Sequence, residues 1–270
     1  MSYQAPAFYF YHAAREAVSV AVDTPDPSPE ALFDGRQGEI YVYTRDFATA
    51  GNNNLFNIER PSGSPAADAV DHIIISSHNL NLSEVECFAS PTVVDLLVPN
   101  YTVTEANGVP IFIPLTTVQP VAGGHEDVQI SFRQGGAAGT VVPEMGEVFL
   151  TTKHEMSRGP DPGWDHPWLR AQRQFVNESG VASTWLKGAA RKRFNLTWHA
   201  LEGADRQILF DLQEQTNDWS EPFWFQPPDT IYPSLLMQLE RDSDWTQDGL
   251  SPLDTGTTDR VTLPLIEVLG

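Results

Sequence analysis

The sequence has a single cysteine, Cys87, among its 270 residues. One thiol closes no disulfide within the chain and builds no cysteine cluster for zinc. Lysine is absent from residues 1–150, where 5 Arg stand against 18 Asp plus Glu, a balance of −13. Residues 151–270 carry 11 basic and 18 acidic side chains, a balance of −7, so the whole chain stands at −20. A surface of that sign repels phosphate backbones, and direct nucleic-acid binding is not expected. No apolar run approaches the ~20 residues that span a bilayer, and no basic lead of a secretory signal precedes the apolar Phe8-Tyr-Phe-Tyr11. The expected setting for synthesis and folding is a reducing cytoplasm. A phosphate-cradling glycine loop, a dinucleotide-binding glycine pattern, a nucleophile elbow and a His-Glu-x-x-His helix are all missing. Catalytic triads are defined by geometry and need no local motif, but the sequence names none, and no enzymatic activity or cofactor is expected.

What is present is the material of a β protein. Apolar residues make up 41%, and 14 Phe, 7 Trp and 7 Tyr supply bulk for a core. The 21 Pro and 19 Gly are scattered, as short strands joined by many turns require. After a proline-punctuated break at 23–29, strand-like runs follow at 39–44, 72–76, 83–89, 93–98, 109–115 and 128–132. Turn chemistry separates them: Gly51-Asn-Asn-Asn54, Pro61-Ser-Gly-Ser-Pro65, Asn107-Gly108, Gly123-Gly124 and Gly135-Gly136. The β-branched Ile73-Ile74-Ile75 suits a central strand. Cys87 sits in an alternating stretch that turns it inward as a small hydrophobe.

Beyond residue 150 the character changes. Residues 154–168 hold five prolines or glycines together with Trp164 and Trp168, and read as an irregular crossover. Lys187, Arg191, Lys192 and Arg193 then cluster, and residues 193–199 alternate Phe194, Leu196 and Trp198 against Asn195, Thr197 and His199. One helix is predicted at 203–216, with Ile208, Leu209 and Leu212 at helical spacing and Asp205 in the first turn, where it suits the dipole. An aromatic strand at 221–226 and closing strands at 235–239 and 260–268 complete the chain.

Several constellations carry chemistry on paper. His125-Glu126-Asp127 after Gly123-Gly124 has the oxygen donors of a calcium loop, although a solvated acidic turn explains it as well. His154, Asp165 and His166 stand around the crossover, where loop hydrogen bonding is the plainer use; His72 and His78 lie six apart on an extended run, too far for one metal. No metal ligand is assigned. Trp219, Trp224 and Trp245 with Asp218, Glu221 and Asp244 have the composition of a sugar-binding face, against which stands core packing of Trp224.

The stretch from Arg193-Phe-Asn-Leu-Thr-Trp-His-Ala-Leu-Glu-Gly-Ala-Asp-Arg-Gln-Ile-Leu-Phe-Asp-Leu to Glu221-Pro-Phe-Trp-Phe-Gln-Pro-Pro-Asp229 resembles minor tail proteins of tailed bacteriophages. It is similar to the tube-like domain of distal tail and other tail-tip proteins, where a sandwich with one flanking helix stacks into rings. Upstream, Ala31-Leu-Phe-Asp-Gly35 and Val70-Asp-His-Ile-Ile-Ile-Ser-Ser-His-Asn-Leu80 resemble galactose-binding-like, discoidin-type jelly rolls. Two pieces depart from that pattern: Glu39-Ile-Tyr-Val-Tyr43 replaces a tryptophan-rich stretch, and residues 91–104 lack a Gly-Ser-Asp-Asp turn.

The resemblance implies a mostly β protein: a discoidin-like jelly-roll β-sandwich plus a tail-tube-like β-sandwich domain with one flanking α-helix. The expected division is 1–29, an N-terminal strand segment packing on the second domain; 30–150, the jelly roll; and 151–270, the tail-tube-like domain with its helix at 203–216. The implied function is a structural component of a virion tail tip or baseplate. Its partners are then copies of itself in a hexameric or trimeric ring and other tail proteins such as tube and hub. Trp164 and Trp168 would pack in that ring, and Lys187, Arg191, Lys192 and Arg193 would meet acidic surface next door. An acidic lumen would let DNA pass. The alternative is a host-surface carbohydrate-binding module, with a glycan held by the jelly-roll loops; a polysaccharide hydrolase needs a carboxylate pair that sequence alone does not identify.

Overall fold

The computed structural model describes residues 5–10, 19–22, 41–42, 54–59, 70–90, 95–118, 127–133, 142, 144–162, 168–176, 182–201, 203–229, 233–240, 247–248 and 258–268. In chain order the strands are β1 (Ala7–Phe10), β2 (Ser19–Val22), β3 (Tyr41–Val42), β4 (Asn54–Glu59), β5 (Val70–Ile75), β6 (Glu84–Ser90), β7 (Asp95–Thr102), β8 (Ile111–Val118) and β9 (Asp127–Arg133). Then come β10 (Glu144–Met145), β11 (Val148–Glu155), β12 (Trp168–Val176), β13 (Ala182–Leu201), the helix α1 (Gly203–Gln215), β14 (Phe223–Gln226), β15 (Leu235–Leu239), β16 (Gln247–Asp248) and β17 (Thr258–Glu267). The chain is thus mostly antiparallel β with one helix among the described residues. It divides into Tyr11–Lys153 and a unit that joins Met1–Phe10 to His154–Leu269.

In Tyr11–Lys153, β2-β4-β9-β6-β7 form a five-stranded sheet and β11-β5-β8 a second one, while β3 and β10 make a short ladder. Among the described residues every pairing in this unit is antiparallel. Eight strands divided five and three are the arrangement of a jelly-roll sandwich. β5 lies between its two neighbours, with Ile73 opposite Leu150 on one side and Ile113 on the other. Ile73, Ile74 and Ile75 are all buried, so both faces of β5 are covered. That is why its sequence is a continuous aliphatic run instead of an alternating one.

Two expectations change here. The sequence assigns residues 11–29 to the N-terminal segment, yet β2 pairs with β4 from Ser19↔Glu59 to Val22↔Phe56 and so joins the jelly roll. The alternating Ser-Val-Ala-Val of β2 supplies a β-competent edge strand that the preceding aromatics obscured. β4 itself begins at Asn54, the last residue of the predicted Gly51 turn, and pairs with β9.

In the other unit the strand order is β12-β13-β17-β15-β14-β1, with β16 added on β17. The first strand of the chain pairs with β14: Ala7, Phe8 and Tyr9 stand opposite Gln226, Phe225 and Trp224. β13 alternates as its sequence predicts, with Phe194, Leu196 and Trp198 buried and His199 exposed. On β17 their partners are Leu265, Leu263 and Val261, also buried. Phe8 packs between Phe223 and Phe225, at ring-centroid distances of 6.0 and 5.2 Å. Burying a side chain of that size is worth about 1.5–3 kcal/mol.

Helix α1 buries Leu209 and Leu212. Asp205 does more than suit the dipole, because it is buried and its two carboxylate oxygens accept from the Ser157 N–H (2.8 Å) and hydroxyl (2.6 Å). The helix gives way to three consecutive left-handed residues, Asn217, Asp218 and Trp219. Such a run is costly for side chains with a Cβ and is held by neighbouring bonds, among them Asp218 N–H to Gln213 O and Glu221 N–H to Thr216 O.

Candidate functional site

Three segments meet at one end of the jelly roll: the turn at 76–83 after β5, the loop at 103–110 between β7 and β8, and the stretch 142–147 around β10. The first turn carries two left-handed non-glycine residues, Ser77 (φ 46°) and Leu82 (φ 66°), and the second needs Gly108 at φ 82°. Gly108 and Leu82 are each tied across to another segment. Gly108 N–H donates to His78 O (2.7 Å), Leu82 N–H to Val103 O (2.9 Å) and Val103 N–H to Ser83 O (2.9 Å). Asn81 donates its amide to Glu105 O (2.7 Å), and its own N–H reaches Asn107 Oδ1 (3.1 Å). On the other side Asn79 donates to Val142 O (2.8 Å) and accepts from the Glu144 N–H (2.9 Å). Ser76 and Glu147 exchange backbone and hydroxyl bonds at 2.8 and 3.0 Å.

His78 sits at the centre of this end and is buried. Its Nδ1 receives the Leu80 N–H (3.0 Å) and its Nε2 lies 2.6 Å from Val109 O. An N–H only donates, so Nδ1 carries the lone pair and Nε2 the proton. Burial lowers the pKa of His78, against the opposing pull of the Val109 carbonyl and the Glu105 carboxylate. Burial, followed by the charge of and hydrogen bond to Glu105, raises that of Tyr101.

The surface that these bonds hold is partly apolar. The exposed large hydrophobics among the described residues are Val42 (43%), Leu82 (41%), Val109 (44%) and Val142 (39%). Leu82, Val109 and Val142 belong to the three segments, and Val42 lies opposite Glu144 in the β3–β10 ladder. Asn107 is exposed beside them and Glu105 half-exposed. Amide and carboxylate groups next to small apolar patches suit a ligand with hydroxyls and C–H faces.

Sequence reasoning noticed the pieces, His78-Asn79-Leu80 and Asn107-Gly108, but as packing and turn signals. Nothing in spacing alone brings residues 79, 107 and 142 to one end; strand order does. Among the described residues no group of three His, Cys, Asp or Glu is placed to hold a metal. His154 stacks on Phe10 (4.0 Å between ring centroids). His72 Nδ1 is 2.7 Å from Asp71 Oδ1, which also accepts the Lys153 N–H. Trp219 and Trp224 are buried and serve the core, the reading set against a sugar-binding face for Trp224. His125, Glu126, Trp164, Asp165, His166, Asp244, Trp245 and the 31–35 opening lie outside the described residues. Cys87 stands opposite Ile130 and Val98 in β6, and its side chain lies outside them too.

Of the residues expected at an assembly interface, Trp168, Lys187, Arg191 and Lys192 lie on the β12–β13 hairpin. Trp168, read as the end of an irregular crossover, is the first residue of β12 and faces Lys192 in register; Arg191 faces Leu169 and Lys187 faces Ala171. Arg191 is exposed. Lys192 is buried, and its N–H donates to Glu267 Oε2 (2.7 Å). Arg193 pairs with Glu240 of the same chain, Nη2 to Oε2 at 2.6 Å. Its charge is therefore met internally, because β13 passes from β12 to β17 at that residue and turns Arg193 toward the end of β15.

No protein-family model matches this sequence, and no curated protein does. Two solved structures are similar in part. A pectin-binding carbohydrate-binding module matches at 13% identity and a TM-score of 0.36, over 50% of this chain and 91% of its own. A truncated AlyQ with CBM32 and alginate lyase domains matches at 11% identity and a TM-score of 0.37, over 87% of this chain and 55% of its own. The likeness to tail proteins is carried by the sequence pattern alone.

Proposed function

We propose that the protein is a non-catalytic carbohydrate-binding protein whose jelly-roll unit holds a saccharide at its 76–83, 103–110 and 142–147 end. The observation that carries this reading is the gathering of exposed Leu82, Val109 and Val142 around Glu105 and Asn107 on cross-bonded loops. Rigid loops lose little entropy on binding, which favours a weak polar ligand. The test is a glycan array probed with the full chain, followed by titration of any hit against Glu105→Gln and Asn107→Ala. Affinity should fall at least ~10-fold in each variant, about 1.4 kcal/mol, measured at a temperature where circular dichroism shows the variant folded. A blank array, or a hit indifferent to both substitutions, rejects this site.

A second reading is a virion tail-tip component that assembles with its own copies and with tube and hub proteins. It is supported by the order β13, α1, β14 within one sheet unit, the strand–helix–strand sequence on which the tail-protein resemblance rests. Native mass spectrometry of the full chain tests it: a closed ring favours this reading and a strict monomer counts against it.

A further inference from the structure

We infer that the β12–β13 hairpin is a basic arm that docks on the acidic surface of a second copy of this chain, head to tail. The first observation is the pairing of β13. Its residues 182–192 ladder only with β12, and its residues 193–201 only with β17, among the described residues. The hairpin thus runs past the sheet for about 30 Å, at ~3.3 Å per residue. A two-stranded ribbon is marginal by itself and gains stability from a third element. Neither the outer edge of β12 nor that of residues 182–191 has a ladder partner among the described residues.

The second observation is charge. Residues 168–192 hold five of the 16 basic side chains and one of the 36 acidic ones, a balance of +4, and with the buried Lys192 set aside the hairpin still stands at +3. The remaining 245 residues hold 11 basic and 35 acidic, a balance of −24. Two chains of −20 repel each other, and the hairpin is the segment that attracts the rest of a second copy. Hairpin against hairpin would set like charges together, so a two-fold contact through this element is disfavoured. A heterologous contact remains, which closes into a ring or runs on as a filament.

The inference rests on the self-assembly part of the second reading and is independent of the saccharide site. The chain has three lysines, Lys153, Lys187 and Lys192, so carbodiimide coupling of amines to carboxylates reports on few positions. The experiment mixes isotope-labelled and unlabelled full-length protein, couples it, and reads which chains are joined. Cross-chain links from Lys187 to Asp or Glu outside 168–192 are expected, as is an oligomer that dissociates between ~50 and ~500 mM salt. The triple variant Arg170→Glu, Arg173→Glu, Lys187→Glu should weaken self-association at least ~100-fold. Circular dichroism checks its folding, and the neutral Arg170→Gln, Arg173→Gln variant serves if the reversal does not fold. An oligomer unchanged in these variants removes the arm while leaving ring assembly standing. A wild-type chain that stays monomeric removes both. Salt-sensitive binding of a labelled oligonucleotide by such a monomer would reassign the hairpin to nucleic acid and overturn the inference.

Discussion

The Nε2 proton of His78 points at the carbonyl oxygen of Val109, 2.6 Å away, across the gap between two loops of the jelly roll. Its other nitrogen accepts the Leu80 N–H, so a second proton on the ring displaces that donor. Burial lowers the pKa of His78 below its ordinary value of about 6.5. The sign follows: a folded pKa below the unfolded one stabilises the fold fully above about pH 6.5, and the contribution is lost as pH falls through the folded value. His78→Phe should cost about 1–3 kcal/mol at pH 8, by leaving the Val109 carbonyl and Leu80 N–H unmatched. The difference from the wild type should shrink on acidification. Denaturant unfolding at a series of pH values measures it, and a difference that stays constant into acid would remove His78 as the titrating latch.

Asn79 joins the 76–83 turn to the third segment through Val142 O and the Glu144 N–H. Asn79→Ala should free both groups and cost about 1–3 kcal/mol, less where water replaces the amide. Hydrogen exchange at the Glu144 amide should accelerate, while amides of β13 and β17 keep their rates. Unchanged exchange at Glu144 would mean that the β3–β10 ladder holds this segment without Asn79.

Much of the fold was legible because hydrophobic period and turn chemistry agree. The strand 235–239 stands as predicted, the helix ends one residue early, and Phe194, Leu196 and Trp198 share the buried face. The failures have physical causes. β4 follows directly on a Gly-Asn-rich turn, and its Asn54 and Asn57 hide the alternation that strand pairing imposes. Trp168 stands beyond a proline-rich run that signals loop, and only the ladder with Lys192 makes it strand. The loop-end site was invisible for another reason: residues 79, 107 and 142 are brought together by topology, which local patterns do not encode.

Asp205 connects the first turn of α1 to the segment after β11. Both its oxygens are taken by Ser157, and the side chain is buried. Asp205→Ala should lower stability by about 1–3 kcal/mol, and Asp205→Asn by less, because an amide oxygen still accepts one bond. Ser157→Ala removes only the hydroxyl bond, so its cost should be the smallest of the three. Equal costs for all three would show that packing around α1, and not this pair of bonds, sets the loss.

Phe8 lies more than 200 residues from the strand it pairs with, and is fully buried between Phe223 and Phe225. Because Phe8 is fully buried on a strand laddered to β14, Phe8→Ala removes core volume between two aromatic rings. The expected cost is about 3–5 kcal/mol. The loss should fall on the unit His154–Leu269, visible as weakened near-ultraviolet dichroism from Trp198, Trp219 and Trp224, all buried there. Exchange protection at Ile73, Ile74 and Ile75 in the jelly roll should change little. Phe8→Leu, which keeps most of the apolar volume, should recover more than half of the stability. A Phe8→Ala protein that loses protection in β5 while keeping its tryptophan signal would contradict the assignment of β1 to the C-terminal unit.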